Sequence, residues 1–152
     1  MDDVKRILVV SRSTGASRKA FHYGVSLARK YEAELFVVHV IYDYFRADRW
    51  NLPIPNLRSL QDGYKKMEQV AKAELDALIE LEKAKGMPIR EIIKEGDPVE
   101  ETLRIVTKEK IDLVVIPAHE EGRIEHLLFS RDVEKLIRTM PCSILLVKEE
   151  PA

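Results

Sequence analysis

Short apolar runs recur along this chain, and a stripe of helical periodicity separates each from the next. The runs are Ile7–Val10, Leu35–Val40, Leu113–Ile116 and Ile144–Val147, with a more alternating stretch, as at a sheet edge, over Ile89–Lys94. A strand without a polar side is one covered on both faces, which is the condition of a parallel sheet. Between the runs, Ala20, Phe21, Gly24, Leu27, Ala28 and Tyr31 share one helical stripe. A longer pattern from Leu57 to Lys85 passes through Leu60, Tyr64, Met67, Ala71, Leu75, Leu78 and Leu81, and Gly86 supplies a stop. Asp97, Pro98 and Glu100 make a start resembling a capping box, for a helix that turns Val99, Leu103 and Val106 inward. Ser130 is placed to cap a last helix carrying Val133, Leu136, Ile137 and Met140, which Pro141 ends. The order βαβαβαβαβ predicts a single α/β domain over residues 1–152, with a doubly wound parallel sheet and helices on both faces. Such a sheet takes ligands beyond the carboxyl ends of its strands, where the strand order reverses.

Charge narrows the partners. Lys and Arg number 25 against 26 Asp and Glu, for a net charge of −1, so no global field recruits nucleic acid or an anionic membrane. No apolar run approaches the length of a membrane span. The first run is too short for the core of a signal peptide. A single cysteine, Cys142, excludes an internal disulfide and a cysteine-based zinc site. These features predict a cytoplasmic protein with no nucleic-acid or membrane partner.

Several segments resemble the universal stress protein family in order and spacing. Ile7-Leu8-Val9-Val10, a turn, Ser17 with Ala20, then Ala33-Glu34-Leu35 and Val38-His39-Val40-Ile41 look like that family's opening β-α-β. Glu95-Gly96-Asp97-Pro98 is similar to its glycine-x-proline turn. Asp112-Leu113-Val114-Val115 and Pro141-Cys142-Ser143-Ile144-Leu145-Leu146-Val147 look like its last two strands. The resemblance implies the adenine-nucleotide alpha hydrolase-like sheet of five strands in the order 3-2-1-4-5, with the crevice between strands one and four. It also implies a two-fold homodimer through the last strand, Ile144, Leu145, Leu146 and Val147.

Nucleotide-binding members carry a G-x2-G-x9-G-[ST] motif after the fourth strand. Its glycines let backbone N–H groups approach phosphates. Here the motif positions hold Pro117, Glu120, Ser130 and Arg131, and Arg12 stands where those members carry an aspartate after the first strand. Gly122 is one position away from a glycine often found in that loop. Val40 matches a position lining the adenine pocket. The resemblance therefore implies a stress-response or regulatory protein that does not bind ATP in the family manner and is not an enzyme. The alternative is a small-ligand sensor that takes a nucleotide or another anion in a modified crevice. Weak nucleotide hydrolysis ranks last, because no feature holds phosphates and positions a water.

The candidate crevice residues are Arg12, Ser13, Val40, Ser130 and Arg131, with Thr14 and Arg123 close in sequence. They suit an anion met by side chains; the competing reading pairs the arginines with Glu120, Glu121 and Asp132 in solvent. His119 and His126 with neighbouring glutamates fit no standard metal spacing, so neither a metal nor a cofactor is expected. His39 reads as a hydrogen-bonded structural histidine, Cys142 as a core residue, and Asp112 as structural at the far end of the sheet. Residues 42–56 gather Tyr42, Tyr44, Phe45 and Trp50. They read equally as contact surface for a protein partner, a lid, or cover for the top of the sheet.

Overall fold

The computed structural model describes residues 3–11, 18–41, 57–118 and 134–148. Five strands, β1 (Arg6–Ser11), β2 (Glu34–Ile41), β3 (Ile89–Glu95), β4 (Leu113–Ala118) and β5 (Ser143–Lys148), form one sheet in the order β3-β2-β1-β4-β5. Every neighbouring pair is parallel. The connecting helices are α1 (Arg18–Tyr31), α2 (Leu57–Ala84) and α3 (Pro98–Lys108). Residues 134–139 are helical and are termed α4.

Strand parity divides the core in two, because successive side chains on a strand point to opposite faces. Ile7, Val9, Leu35, Val37, Ile89, Val115 and Val147 meet Phe21, Val25 and Ala28 of α1 and Leu75 and Ile79 of α2. Leu8, Val10, Phe36, Val38, Val40, Val114 and Ile116 meet Val99, Ile105 and Val106 of α3 and Leu136 of α4. Helices on both faces and apolar strands are one fact seen twice.

Local signals end the elements as the residues dictate. Asp97 caps α3 by accepting from Val99 N at 2.9 Å and Glu100 N at 3.1 Å, with Pro98 following it. Gly86 adopts φ +95° just past α2, a conformation that costs side-chain-bearing residues and lets the chain reverse. Asp112 Oδ2 accepts from Lys5 N at 2.8 Å and Arg6 N at 2.9 Å, joining the starts of β1 and β4. That places Asp112 at the amino end of the sheet, as the sequence suggested. Cys142 is half-buried against the second core; burial first and the Asp112 charge second push its thiol pKa up, so it is not an activated thiolate.

Several side chains depart from the expected stripes. Tyr31 is exposed while Val25 is buried, so the inward face of α1 lies a little further round than the sequence stripe. On α2, Leu75, Ile79 and Glu82 are buried, whereas Met67 and Leu81 are open to water. Glu82 is tolerated because Arg29 donates to it at 2.6 Å and Lys85 stands 3.6 Å away. On α4, Leu136 is buried and Ile137 is exposed; on α3, Ile105 and Thr102 join Val99 and Val106 in the interior while Leu103 is half-buried.

The 28 residues of α2 make a helix about 42 Å long, whereas the strands it crosses span about 25 Å. Upstream of Leu75 no described residue of α2 is buried.

Candidate ligand crevice

The order reversal falls between β1 and β4, and the pairing shows how the crevice opens. β1 pairs with β2 as far as Ser11↔His39, and β4 pairs with β5 as far as Ala118↔Lys148. Between β1 and β4 the pairing runs only from Ile7↔Leu113 to Val9↔Val115. The two halves of the sheet therefore part over their last residues, at the topological switch where doubly wound sheets hold ligands. A depression of about 560 Å³ beside Lys83, Met87, Pro88 and Arg90 lies at the amino end of β3, away from this crevice.

On the β4 side, the strand extends beyond the expected Ile116, and Pro117 is a buried strand residue opposite Val147. Proline has no N–H, so this position has no backbone donor for a ligand in the crevice. On the other side, Val40 pairs with Lys94 and is 5% exposed, packed in the second core. Arg12, Ser13, Ser130, Arg131, the loop around Glu120 and residues 42–56 lie outside the described residues.

Ser11 and His39 at the carboxyl end of β1 and β2, and a charged set on α2 and β3, are polar groups the sequence did not single out together. Ser11 Oγ and His39 Nδ1 are hydrogen-bonded at 3.1 Å, which makes His39 a structural partner of the last residue of β1. The imidazole is 1% exposed. Burial, and then the charge of Lys72, hold its pKa below the usual value against the opposing pull of Asp76. His39 is neutral at pH 7 and is no standing cation for a phosphate. Lys72 Nζ donates to Asp76 Oδ2 at 2.8 Å, and Glu91 of β3 and then Lys72 hold the Asp76 carboxyl below its usual range. Two signals were present in the sequence. Lys72 and Asp76 are four apart beside the buried Leu75, and Glu91 shares strand parity with the buried Ile89. Among the described residues, no group of three or more His, Cys, Asp or Glu is arranged to hold a metal.

The sequence model of the Universal stress protein family matches residues 3–148. The chain belongs to the universal stress protein family. A universal stress protein of Methanothermobacter thermautotrophicus is 32% identical over 63 residues, covering 41% of this chain and 42% of that relative. Two solved universal stress proteins share the fold. One is UspA from Lactobacillus plantarum, with a TM-score of 0.69 at 18% identity over 97% of this chain and 99% of that one. The other, from Archaeoglobus fulgidus in complex with dAMP, has a TM-score of 0.61 at 13% identity over 97% and 100% of the two chains. Among the described residues, no helix is long and apolar enough to cross a membrane.

Proposed function

We propose that this universal stress protein is a dimeric, cytoplasmic regulatory protein, not an enzyme, and that it does not hold ATP by the family's backbone cradle. The observation that carries this reading is Pro117. It sits buried in the strand itself, opposite Val147, where nucleotide-binding members present a glycine amide. A cradle lacking its first N–H loses a charge-assisted bond to phosphate. The test is to purify the protein without added nucleotide, analyse the small molecules released on denaturation, and titrate the empty protein with ATP and magnesium by calorimetry. The expected result is no stoichiometric adenine nucleotide and no saturable heat at micromolar concentrations. A stoichiometric adenine nucleotide would overturn the reading.

A second reading has its own support in the parting of β1 from β4 and in the relative solved with dAMP. In it, the same crevice senses a nucleotide or another small anion through the side chains of Arg12, Ser13, Ser130 and Arg131, with Val40 beneath. A released anion of another kind would favour it.

Dimerisation rests on β5. It is an edge strand, and Leu146 on it is 44% exposed. Ile144 and Leu145 are partly covered, and Val147 is committed to the core of its own chain, so backbone pairing and Leu146 carry the proposed contact. Leu146→Asp is expected to convert a dimer into a monomer in light scattering at micromolar concentration. A wild type that already runs as a monomer would remove this part of the proposal.

A further inference from the structure

Helix α2 carries more apolar surface than its own chain covers. Of its 28 residues, Leu75, Ile79 and Glu82 are the buried ones among those described. Met67 and Leu81 belong to the apolar pattern of the sequence, yet they are 42% and 60% exposed, and Val70 is 58% exposed. The three fall in a run, Gly63, Met67, Val70, Glu74, Ala77 and Leu81, whose members are spaced alternately four and three residues apart. Every member is exposed. That spacing is the period of a seam between two helices. It lies about 100° around the helix from the buried stripe, so the sheet does not use it.

Gly63 gives a second, independent sign. It is helical, and a Cβ there would meet nothing within 4 Å. No contact inside the chain calls for glycine at this position, where alanine would make the stronger helix. A bare backbone on an exposed seam is the place where a large side chain from another helix fits.

We infer that this face of α2 binds a second copy of this chain, the two helices lying antiparallel about a two-fold axis. Centred between Val70 and Glu74, the arrangement sets large side chains against small ones. The partner's Leu81 lies over Gly63, the partner's Ala77 lies against Met67, and the partner's Glu74 lies beside Val70. The same register brings Lys66, on the flank of the seam, to the partner's Glu80, and the two-fold repeats that pair. Lys66 and Glu80 are both exposed, and within its own chain Glu80 meets Lys83 at the loose distance of 3.9 Å. A parallel two-fold pair must be in register, which would stack Glu74 on the partner's Glu74. Like charges face to face are costly, so charge selects the antiparallel arrangement. Glu74 in the seam also keeps the contact weak. Helix α2 joins β2 to β3, whereas β5 is the opposite edge of the sheet. The contact is therefore separate from the one proposed for β5 and adds to it at higher protein concentration.

The test takes Leu146→Asp, which removes the β5 contact, and follows its mass by light scattering from micromolar to sub-millimolar concentration. The expected mass is that of a monomer at the low end, rising toward a dimer at the high end. Lys66→Glu and Glu80→Lys should each weaken this association by about tenfold or more, since each sets like charges against one another across the seam. Combining the two should restore it. Glu80→Lys also removes the Lys83 contact within the helix, but the combined variant shares that loss, so restoration reads the contact between chains. If Leu146→Asp does not fold, the same series is read in the wild type as growth of the mass beyond that of its micromolar species. A mass that stays constant to sub-millimolar concentration overturns the proposal and leaves the seam to a different protein. A rise indifferent to the charge reversals overturns it as well, by placing the contact elsewhere. A wild type that is monomeric at micromolar concentration and then associates with this charge pattern removes the β5 reading and keeps this one.

Discussion

Phe36→Ala is expected to destabilise the protein by about 3–5 kcal/mol, the range for truncating a buried aromatic ring. Phe36 is 1% exposed, among the largest fully buried side chains, and packs in the second core with Leu8, Val38 and Val40. Its ring is also covered by the Arg90 guanidinium, 5.1 Å from the centroid. Arg90 in turn reaches Glu109 at 3.2 Å and 3.3 Å. The loss thus has two sources, and magnitudes separate them. Arg90 is 62% exposed, so its contacts with the ring and with Glu109 should contribute only about 1 kcal/mol or less. The cavity left by the ring accounts for the rest. Urea unfolding should show Arg90→Ala close to wild type and Phe36→Ala far from it. Equal losses in the two variants would mean that the cation and its ion pair, not the packed ring, hold β2 to the second face.

The sheet was legible because each strand carries its own evidence. Ile7–Val10 has no polar side, and the structure covers both of its faces. Asp97 and Pro98 announced α3 through groups that act within one turn, and Gly86 ended α2 through its own backbone. The orientation of α2 was not legible in the same way. Leu75, Leu78 and Leu81 and the set Leu75, Ile79 and Glu82 are both helical stripes, and hydrophobicity favours the first. The structure chooses the second because Arg29 of α1 neutralises Glu82, a partner 53 positions away. Tyr31 and Ile137 failed for a related reason. Each sits near a helix end and on the margin of a stripe, where the neighbouring element decides exposure.

At the candidate site the sequence located the crevice and missed the Ser11–His39 hydrogen bond at the carboxyl end of β1. The switch point follows from strand order, which the family resemblance supplied and the pairing bears out. The influence of Glu91 on the Asp76 carboxyl links a helix to the strand that follows it, and neither residue belongs to a motif. His39 was read correctly as hydrogen-bonded, but its partner Ser11 lies one residue beyond the apolar run Ile7–Val10 that announced β1. Pro117 was placed after the strand, whereas it lies within it, and that shift turns a loop proline into a buried strand residue.

Gly24→Ala is expected to destabilise the protein by about 1–3 kcal/mol, although alanine is the better helix former by about 1 kcal/mol. A Cβ at Gly24 would overlap Val9 Cγ2 and stand 3.4 Å from Leu35 Cδ1. The first contact is far inside van der Waals range, so α1 must lift or Val9 must turn. Val9 is 0% exposed and β-branched, which leaves its methyl no free space and few rotamers. The pressure would fall on Val9↔Val115, the last rung before β1 and β4 part, so the strain reaches the wall of the crevice. Val9→Ala removes the obstructing methyl groups. The double variant should therefore lose clearly less stability than the sum of the two single losses, by a coupling of about 1 kcal/mol or more. Urea unfolding of the four proteins measures it. Additive losses, or a Gly24→Ala that is neutral, would show that α1 rides further from β1 than this contact requires.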